Sequence, residues 1–176
     1  MYLGACSGAA GGSAQGMAGL ICQTPNGIAG IRQTLRTMSL LTERGKVTPS
    51  IRAKAVELCS GLPPKDYKGE AETLFLFVRD QVRYVRDVSG VETLHDPALI
   101  LRNLAGDCDD KSILLASLLG SIGARTMFVA CGPLPEKMVH VYVRVLIRGW
   151  WVGADATEPR PFGWEPKYPH QILQPN

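Results

Sequence analysis

Residues 106–132 read GDCDDKSILLASLLGSIGARTMFVACG, and this stretch carries the strongest structural signal in the chain. Asp107 is a favoured helix N-cap residue, Asp110 is its capping-box partner three residues on, and Gly123 ends the helical pattern. Nearly every side chain after Lys111 is apolar, so the sequence predicts a buried, central helix over 108–122. The short apolar run 126–131 then predicts a strand.

Further helices precede this stretch and further strands follow it. We predict helices over 34–44, from about 50 to the stop at Gly61, over 70–84, and over 98–104 with Asp96 as the N-cap. The later part predicts strands over 139–147 and 150–155, joined by a tight turn, and then an irregular tail over 158–176. Helices first and antiparallel strands afterwards predict an α+β fold.

The composition excludes several classes of protein. The chain has 176 residues, 45% of them hydrophobic, so it is long enough for one domain with a core and is not disordered as a whole. A net charge of +3 is too small and too evenly spread for nucleic acid to be the expected partner. Five cysteines without a repeating spacing do not form a disulfide framework, so we expect free thiols.

The first 31 residues differ from the rest, because they contain no charged side chain and hold eight of the 19 glycines. We interpret 1–31 as an uncharged arm and 32–176 as the folded domain. Each glycine costs a helix about 1 kcal/mol against alanine, so this arm is a poor core helix. Glycines at 4, 8, 12 and 16 have the spacing of packed membrane helices, but large apolar residues are scarce, so a membrane partner is the weaker interpretation. The start of the sequence has no basic region followed by an apolar run, so we expect no signal peptide.

Cys108 is the first residue of the predicted central helix, and a thiol at this position suits nucleophilic chemistry. The positive end of the helix dipole favours the thiolate, which is the form that attacks carbonyl carbon. Gly106 leaves space for a substrate to approach the sulfur. The carboxylates of Asp107, Asp109 and Asp110 act in the opposite direction, because any that faces the sulfur raises the thiol pKa.

A thiol nucleophile needs a base, and the base needs a group that orients it. His140 lies at the start of one predicted strand and Asp155 at the end of the next. Antiparallel pairing of these strands places the two side chains together, with imidazole Nδ1–H donating to the carboxylate and the other nitrogen facing the sulfur. The sequence therefore predicts a Cys108–His140–Asp155 triad.

Four segments of the chain together resemble a known family. They are VRDQVRYVRDVSGVETLHDPALIL at 78–101, the stretch at 106–132, HVYVRV at 140–145 and GWWVGADATEP at 149–159. They are similar to the transglutaminase-like superfamily of papain-type cysteine enzymes, and most of all to its small members encoded by tailed bacteriophages and prophages. The resemblance spans roughly residues 49–165 and leaves out the arm. It implies an α+β fold of the papain-like, transglutaminase-like type, with the Cys-bearing helix packed on a small antiparallel sheet.

The resemblance also implies an activity and a setting. Cys108 corresponds to the family's nucleophile, His140 to its general base and Asp155 to its orienting carboxylate, and Tyr84 or Gln81 is the implied oxyanion helper. The implied function is acyl transfer from a protein or peptide-like amide, as a protease, amidase or transglutaminase, without a cofactor or a metal. A phage protein of this kind is expected in the host cytoplasm or the virion, with its arm binding phage structural proteins.

Two other interpretations stay open. A virion or assembly component would keep the fold with little or no activity, and the uncharged arm favours this interpretation. The other is a metal site, because Asp107, Asp109 and Asp110 offer oxygen ligands for Mg²⁺ or Ca²⁺. The three triad residues also form an acceptable zinc ligand set.

The remaining histidines, cysteines and tryptophans have structural interpretations. We expect a loop or capping role for His95 and a structural role for His170. Of Trp150 and Trp151, one is expected beneath the active site and the other over the sheet. Four cysteines are interpreted as structural: Cys6, Cys22, Cys59 and Cys131.

Overall fold

The computed structural model describes residues 27–86 and 93–176, together with the backbone of Ser7–Gly8 and Leu20–Ile21. Its helices are α1 (Ile28–Lys46), α2 (Pro49–Cys59), α3 (Tyr67–Gln81), α4 (Pro97–Asn103) and α5 (Cys108–Ser121). Its strands are β1 (Ser7–Gly8), β2 (Leu20–Ile21), β3 (Arg83–Tyr84), β4 (Thr93–Leu94), β5 (Ala105–Gly106), β6 (Thr126–Gly132), β7 (His140–Ile147), β8 (Trp150–Ala154) and β9 (His170–Pro175). Helices followed by an antiparallel sheet confirm the α+β prediction.

Helix α5 lies at the centre of the molecule, as its apolar sequence predicts. Its isoleucine and leucines are fully buried, and all four other helices pack against it. Strand β7 contacts it from the side of the sheet. Burial of each such side chain contributes roughly 1.5–3 kcal/mol, so the contacts of α5 hold the helical layer and the sheet together.

Four strands form an antiparallel sheet in the order β8-β7-β6-β9. Alternate residues of β7 face opposite sides of this sheet: Val141 and Val143 join the main core, whereas Tyr142 joins a small buried cluster on the other face. Val143 pairs with Ala154, the last residue of β8. The start of β7 and the end of β8 therefore lie at the same end of the sheet, which is where the predicted histidine and aspartate stand.

Two helix boundaries differ from the predicted ones. Helix α1 begins at Ile28, six residues before the predicted start, and Gly27 is its N-cap with a left-handed φ of 74°. Helix α3 begins at Tyr67, where the Asp66 side chain accepts a hydrogen bond from Gly69 N, and it ends at Gln81. Tyr84, predicted to end that helix, instead pairs in parallel with Gly106 through β3 and β5.

The tail is more regular than predicted. Its last residues form β9, which pairs antiparallel with β6 and sets His170 opposite Gly132. Half-buried and exposed residues alternate along β9, as is usual for an edge strand with one face on the protein. The segment between β8 and β9, residues 155–169, crosses the sheet. It brings Glu165 to Arg144 of β7, the strand that carries His140.

Parts of the predicted arm are joined to the domain by backbone pairing, because β2 pairs with β1 on one side and with β4 on the other. The other arm residues up to 26, including Cys6 and Cys22, lie outside the described residues. The division into arm and domain stays a prediction. Within the described ranges, no helix combines the length and the apolar content that a membrane span requires.

Candidate active site

Cys108 stands at the N-terminus of α5, where the sequence placed it. The Asp107 carboxylate caps the helix by accepting hydrogen bonds from the backbone N–H groups of Asp109 and Asp110, at 3.0 and 3.1 Å. The Cys108 thiol is directed toward Asp109 Oδ1, with a sulfur–oxygen distance of 3.7 Å. A backbone hydrogen bond from Val141 also reaches the sulfur. The sulfur therefore lies against the backbone of the residue that follows His140.

His140 and Asp155 form a buried hydrogen-bonded pair. Nε2 of His140 lies 2.7 Å from Asp155 Oδ2, and the two side chains are 12% and 1% exposed. The other carboxylate oxygen accepts from the backbone N–H of Thr157 at 3.1 Å, so the Asp-Ala-Thr sequence fixes the carboxylate through its own turn. The sequence analysis assigned Nδ1 to this contact, and that detail is wrong. The ring is oriented with Nε2 toward Asp155, which leaves Nδ1 as the nitrogen available to a reacting group.

Cys108 and His140 line one cleft, of about 430 Å³. Its floor includes Ala130 and Val141 of the sheet, and the first turns of α1 form part of its wall. The side chains of Glu136 and Lys137 come from the loop between β6 and β7. Cys108 and His140 thus border the same cleft, whereas the roles of the individual residues stay predictions.

The electrostatics at Cys108 contradict the expectation of a thiolate favoured by the helix dipole. Burial is the largest cause that raises the thiol pKa above its ordinary value, and the negative charges of Asp109 and Asp107 raise it further. The backbone hydrogen bond from Val141 lowers the thiol pKa, but by less than burial and these charges raise it. Burial and these charges favour the protonated thiol, so attack by Cys108 needs a base to remove the proton.

The two candidate oxyanion helpers occupy different settings. Tyr84 is held opposite Gly106 by the β3–β5 pairing, two residues before Cys108. Its pKa is raised by burial first and by the nearby Cys108 second, which places the phenol within electrostatic reach of the sulfur. Gln81 is exposed at the end of α3. Neither is among the described residues that line the cleft.

Gly106 was predicted to leave space for a substrate, but in the structure its missing side chain has another role. A Cβ at this position would lie 2.5 Å from Asp110 Cβ, so the missing side chain makes room for Asp110 rather than for a substrate. The Asp110 carboxylate is 2% exposed and binds His95 twice, at 3.1 Å to its backbone N–H and at 2.8 Å to Nδ1. His95 lies in the loop between β4 and α4, as expected, and through Asp110 it also contacts the helix that carries Cys108.

The metal interpretations find no support in the geometry. In the part of the chain that the structure describes, no group of three or more histidine, cysteine and carboxylate side chains is placed to hold a metal ion. Asp107 is committed to the helix cap, and Asp110 to His95. Cys59 and Cys131 are free thiols, the first half-buried and the second buried opposite His140 in the sheet.

The tryptophans lie away from the cleft. Trp150 pairs with Ile147 at the end of the sheet opposite His140, and it is 78% exposed. Trp151 is 39% exposed. Neither lies beneath the site, because β8 runs from Trp150 toward Asp155 and enters the core only at its last residues.

The side chains that follow His140 on the same face of β7, and their partner from the tail, were not predicted from the sequence. Tyr142 and Arg144 lie on the same face of β7 as His140, since strand residues alternate. Glu165 reaches Arg144 from the tail. The alternating HVYVRV pattern carried a signal for the first two, whereas nothing local in the sequence indicated Glu165.

Comparisons with known proteins show the fold. No family model matches the chain, and the search of curated proteins gives no match. A solved structure from Parabacteroides distasonis, named "putative protease", has a TM-score of 0.50 and 14% identity, covering 73% of this chain and 27% of that chain. One from Cytophaga hutchinsonii, named "putative cysteine protease", has a TM-score of 0.47 and 18% identity, covering 61% of this chain and 37% of that chain. The chain thus spans well under half of each neighbour's length. With the element order described above, the likeness to the Parabacteroides distasonis structure shows an α+β fold.

Proposed function

We propose that the protein is a cysteine-dependent acyl-transfer enzyme acting on an amide of a protein or peptide. The observation that carries the proposal is the 2.7 Å contact between His140 Nε2 and Asp155, buried beside the cleft that Cys108 shares. A buried carboxylate that holds an imidazole leaves the other ring nitrogen directed and basic, as a nucleophile of this kind requires.

The proposed reaction has two half-reactions. His140 Nδ1 takes the thiol proton as the sulfur bonds to the amide carbon, and the C–N bond then breaks as the imidazolium returns that proton to the leaving amine. The product of this half is a thioester on Cys108. Water or a second amine attacks the thioester with His140 as the base, which releases an acid or a new amide and restores the thiol. Asp155 stabilises the imidazolium through its contact with His140 Nε2.

The raised pKa of the Cys108 thiol fits this order of events. A preformed thiolate would be disfavoured by burial and by the charge of Asp109, so the proton leaves during attack and not before it. The backbone N–H of Cys108 and the Tyr84 hydroxyl are the proposed donors to the oxyanion. This would give Tyr84 the role that the resemblance left open between it and Gln81.

A second candidate function is an assembly component that keeps the fold without catalysis. The raised pKa of the half-buried Cys108 thiol favours it, as does the uncharged arm, which would bind structural proteins of a phage. The two candidates differ in one respect that an experiment separates: only the enzyme needs Cys108.

Quenched fluorescent casein measures hydrolysis, and incorporation of monodansylcadaverine into casein measures amine transfer. We expect wild type to be active in one of these assays and Cys108→Ala to be inactive, with Cys59→Ala as the matched control for loss of a half-buried thiol outside the cleft. Equal signals from wild type and Cys108→Ala, or none from wild type, favour the assembly component.

A further inference from the structure

Three side chains form a row along one face of β7, beginning at the candidate base. The rings of His140 and Tyr142 are nearly parallel, with an interplanar angle of 16° and centroids 6.3 Å apart. The Arg144 guanidinium lies over the Tyr142 ring, 6.0 Å from the ring centroid. Tyr142 is 1% exposed, so its ring has little freedom to move. The histidine ring therefore rests on an aromatic ring that is itself fixed.

Arg144 is held by a carboxylate from a distant part of the chain. Its Nε donates to Glu165 Oε1 at 2.7 Å and its Nη2 to Oε2 at 2.6 Å, which is the bidentate geometry of a strong charge-assisted pair. Nη2 also lies 3.3 Å from the Tyr142 hydroxyl, within hydrogen-bond distance. The two side chains of the ion pair are 20% and 29% exposed, so the pair is only partly screened by water.

Glycine at position 153 lets Glu165 reach this place. Gly153 pairs with Arg144 in the sheet, and its carbonyl accepts a hydrogen bond from Gly163 N at 2.9 Å. A Cβ on Gly153 would overlap the Glu165 side chain and lie 2.8 Å from Trp164 O. The segment after Asp155 thus crosses β8 in direct backbone contact and sets Glu165 against Arg144.

From these contacts we propose that Tyr142, Arg144 and Glu165 are positioning residues for the His140 imidazole. The hydrogen bond to Asp155 fixes one nitrogen but leaves the ring able to tilt about that contact, and the Tyr142 ring limits this tilt. Glu165 acts through Arg144 to keep the Tyr142 ring in place. The inference rests on the proposed function for the role of His140 as base, whereas the restraint on the ring is testable without any activity.

The test combines NMR titration of the histidine Cε1–H signals with the rate of Cys108 alkylation by iodoacetamide, both on the full chain. The chain has three histidines, so each signal is assigned by one substitution. Tyr142→Leu removes the supporting ring, Tyr142→Phe retains it, and Glu165→Gln removes the charge from a partly exposed residue. Glu57→Gln, in the exposed pair between Lys54 and Glu57, is the matched control.

We expect Tyr142→Leu and Glu165→Gln to shift the His140 signal and its titration midpoint while the His95 and His170 signals stay. Cys108 alkylation falls roughly tenfold in both variants, since displacing a supporting group typically costs tenfold or more. Tyr142→Phe recovers most of the loss, Glu57→Gln matches wild type, and an unchanged Cys59 labelling rate verifies the fold. If Tyr142→Leu does not fold, Glu165→Gln and Gly153→Ala, which displaces the same carboxylate, decide the question.

An unchanged His140 titration in Glu165→Gln overturns the proposal, as does equal behaviour of Glu165→Gln and Glu57→Gln. Failure of the acyl-transfer function is a separate result. It would appear as wild type inactive in both the casein hydrolysis and the monodansylcadaverine assays although the NMR titration responds to Glu165→Gln, and that outcome supports the positioning role alone.

Discussion

The Cys108 thiol is directed toward the Asp109 carboxylate, with the sulfur 3.7 Å from Oδ1, so the protein places a negative charge beside its candidate nucleophile. Burial first and this charge second raise the pKa of the Cys108 thiol and so favour its protonated form. The arrangement differs from a cysteine activated by its helix dipole alone. Attack by this thiol therefore needs a base, and the proposed base is His140, which lines the same cleft.

The first prediction concerns this carboxylate. Asp109→Asn removes a charge that disfavours the thiolate, so the pKa of Cys108 falls and the thiolate fraction at fixed pH rises. We expect about tenfold faster alkylation of Cys108 by iodoacetamide near neutral pH, equivalent to roughly one pKa unit. Peptide mass mapping measures the rate, with the exposed Glu43→Gln as the control. A rate equal to wild type would mean that Asp109 does not act on the sulfur.

The second prediction concerns the space behind the nucleophile. Gly106→Ala forces the Asp110 side chain away from its place beside His95, and overpacking of this kind costs typically about 1–3 kcal/mol. We expect the free energy of unfolding, measured by urea denaturation, to fall by that amount. Gly61→Ala is the matched control, because a Cβ there meets no atom within 4 Å. Equal stability of the two variants would show that a Cβ at position 106 does not displace the Asp110 side chain.

The third prediction concerns Lys111, which is 3% exposed in the first turns of α5. Its ammonium donates to Val82 O at 2.8 Å and Arg79 O at 3.3 Å, and these carbonyls lie at the C-terminal end of α3. Lys111→Met leaves them without this donor, so we expect a loss of roughly 1–3 kcal/mol in the free energy of unfolding. Lys68→Met, on an exposed residue of the same helix α3, is the comparison. Burial lowers the pKa of Lys111, and a gain in stability on substitution would mean that this desolvation outweighs the two hydrogen bonds.

The fourth prediction concerns the orienting carboxylate. Asp155→Asn keeps the shape of the side chain but removes the charge that stabilises an imidazolium. We expect casein turnover to fall by at least about a hundredfold while some activity remains, since the nucleophile is intact. Urea denaturation verifies that the variant is folded. Turnover equal to wild type would show that Asp155 holds the ring without contributing its charge.

Local patterns explain why much of the fold was predictable. The helix over α5 follows from Asp107, an apolar run and Gly123, and these signals lie within one segment. The His140–Asp155 contact followed from strand pairing, because a hairpin fixes its own register. The bounds of α1 depended on the backbone conformation of Gly27, which composition does not report.

The features that sequence reasoning missed depend on long-range contacts. His95 meets Asp110 across 15 residues, and Glu165 meets Arg144 across 21. The direction of the Asp109 side chain, which decides the sign of its effect on the thiol, is likewise set by packing and not by spacing. Each of these is a property of the assembled molecule, so no local period or cap signal encodes it.

The central claim is that His140 takes the proton from Cys108, and the pH dependence of Cys108 alkylation tests it most directly. The rate constant with iodoacetamide is measured by peptide mapping from pH 5 to 10 in wild type and in His140→Gln, with Cys59 of the same molecules as the internal reference. We expect wild type to react also below the pH range of the raised thiol pKa, with an inflection that depends on His140. His140→Gln loses this inflection and reacts only at alkaline pH, as the raised thiol pKa requires. Identical profiles for the two proteins would contradict the claim.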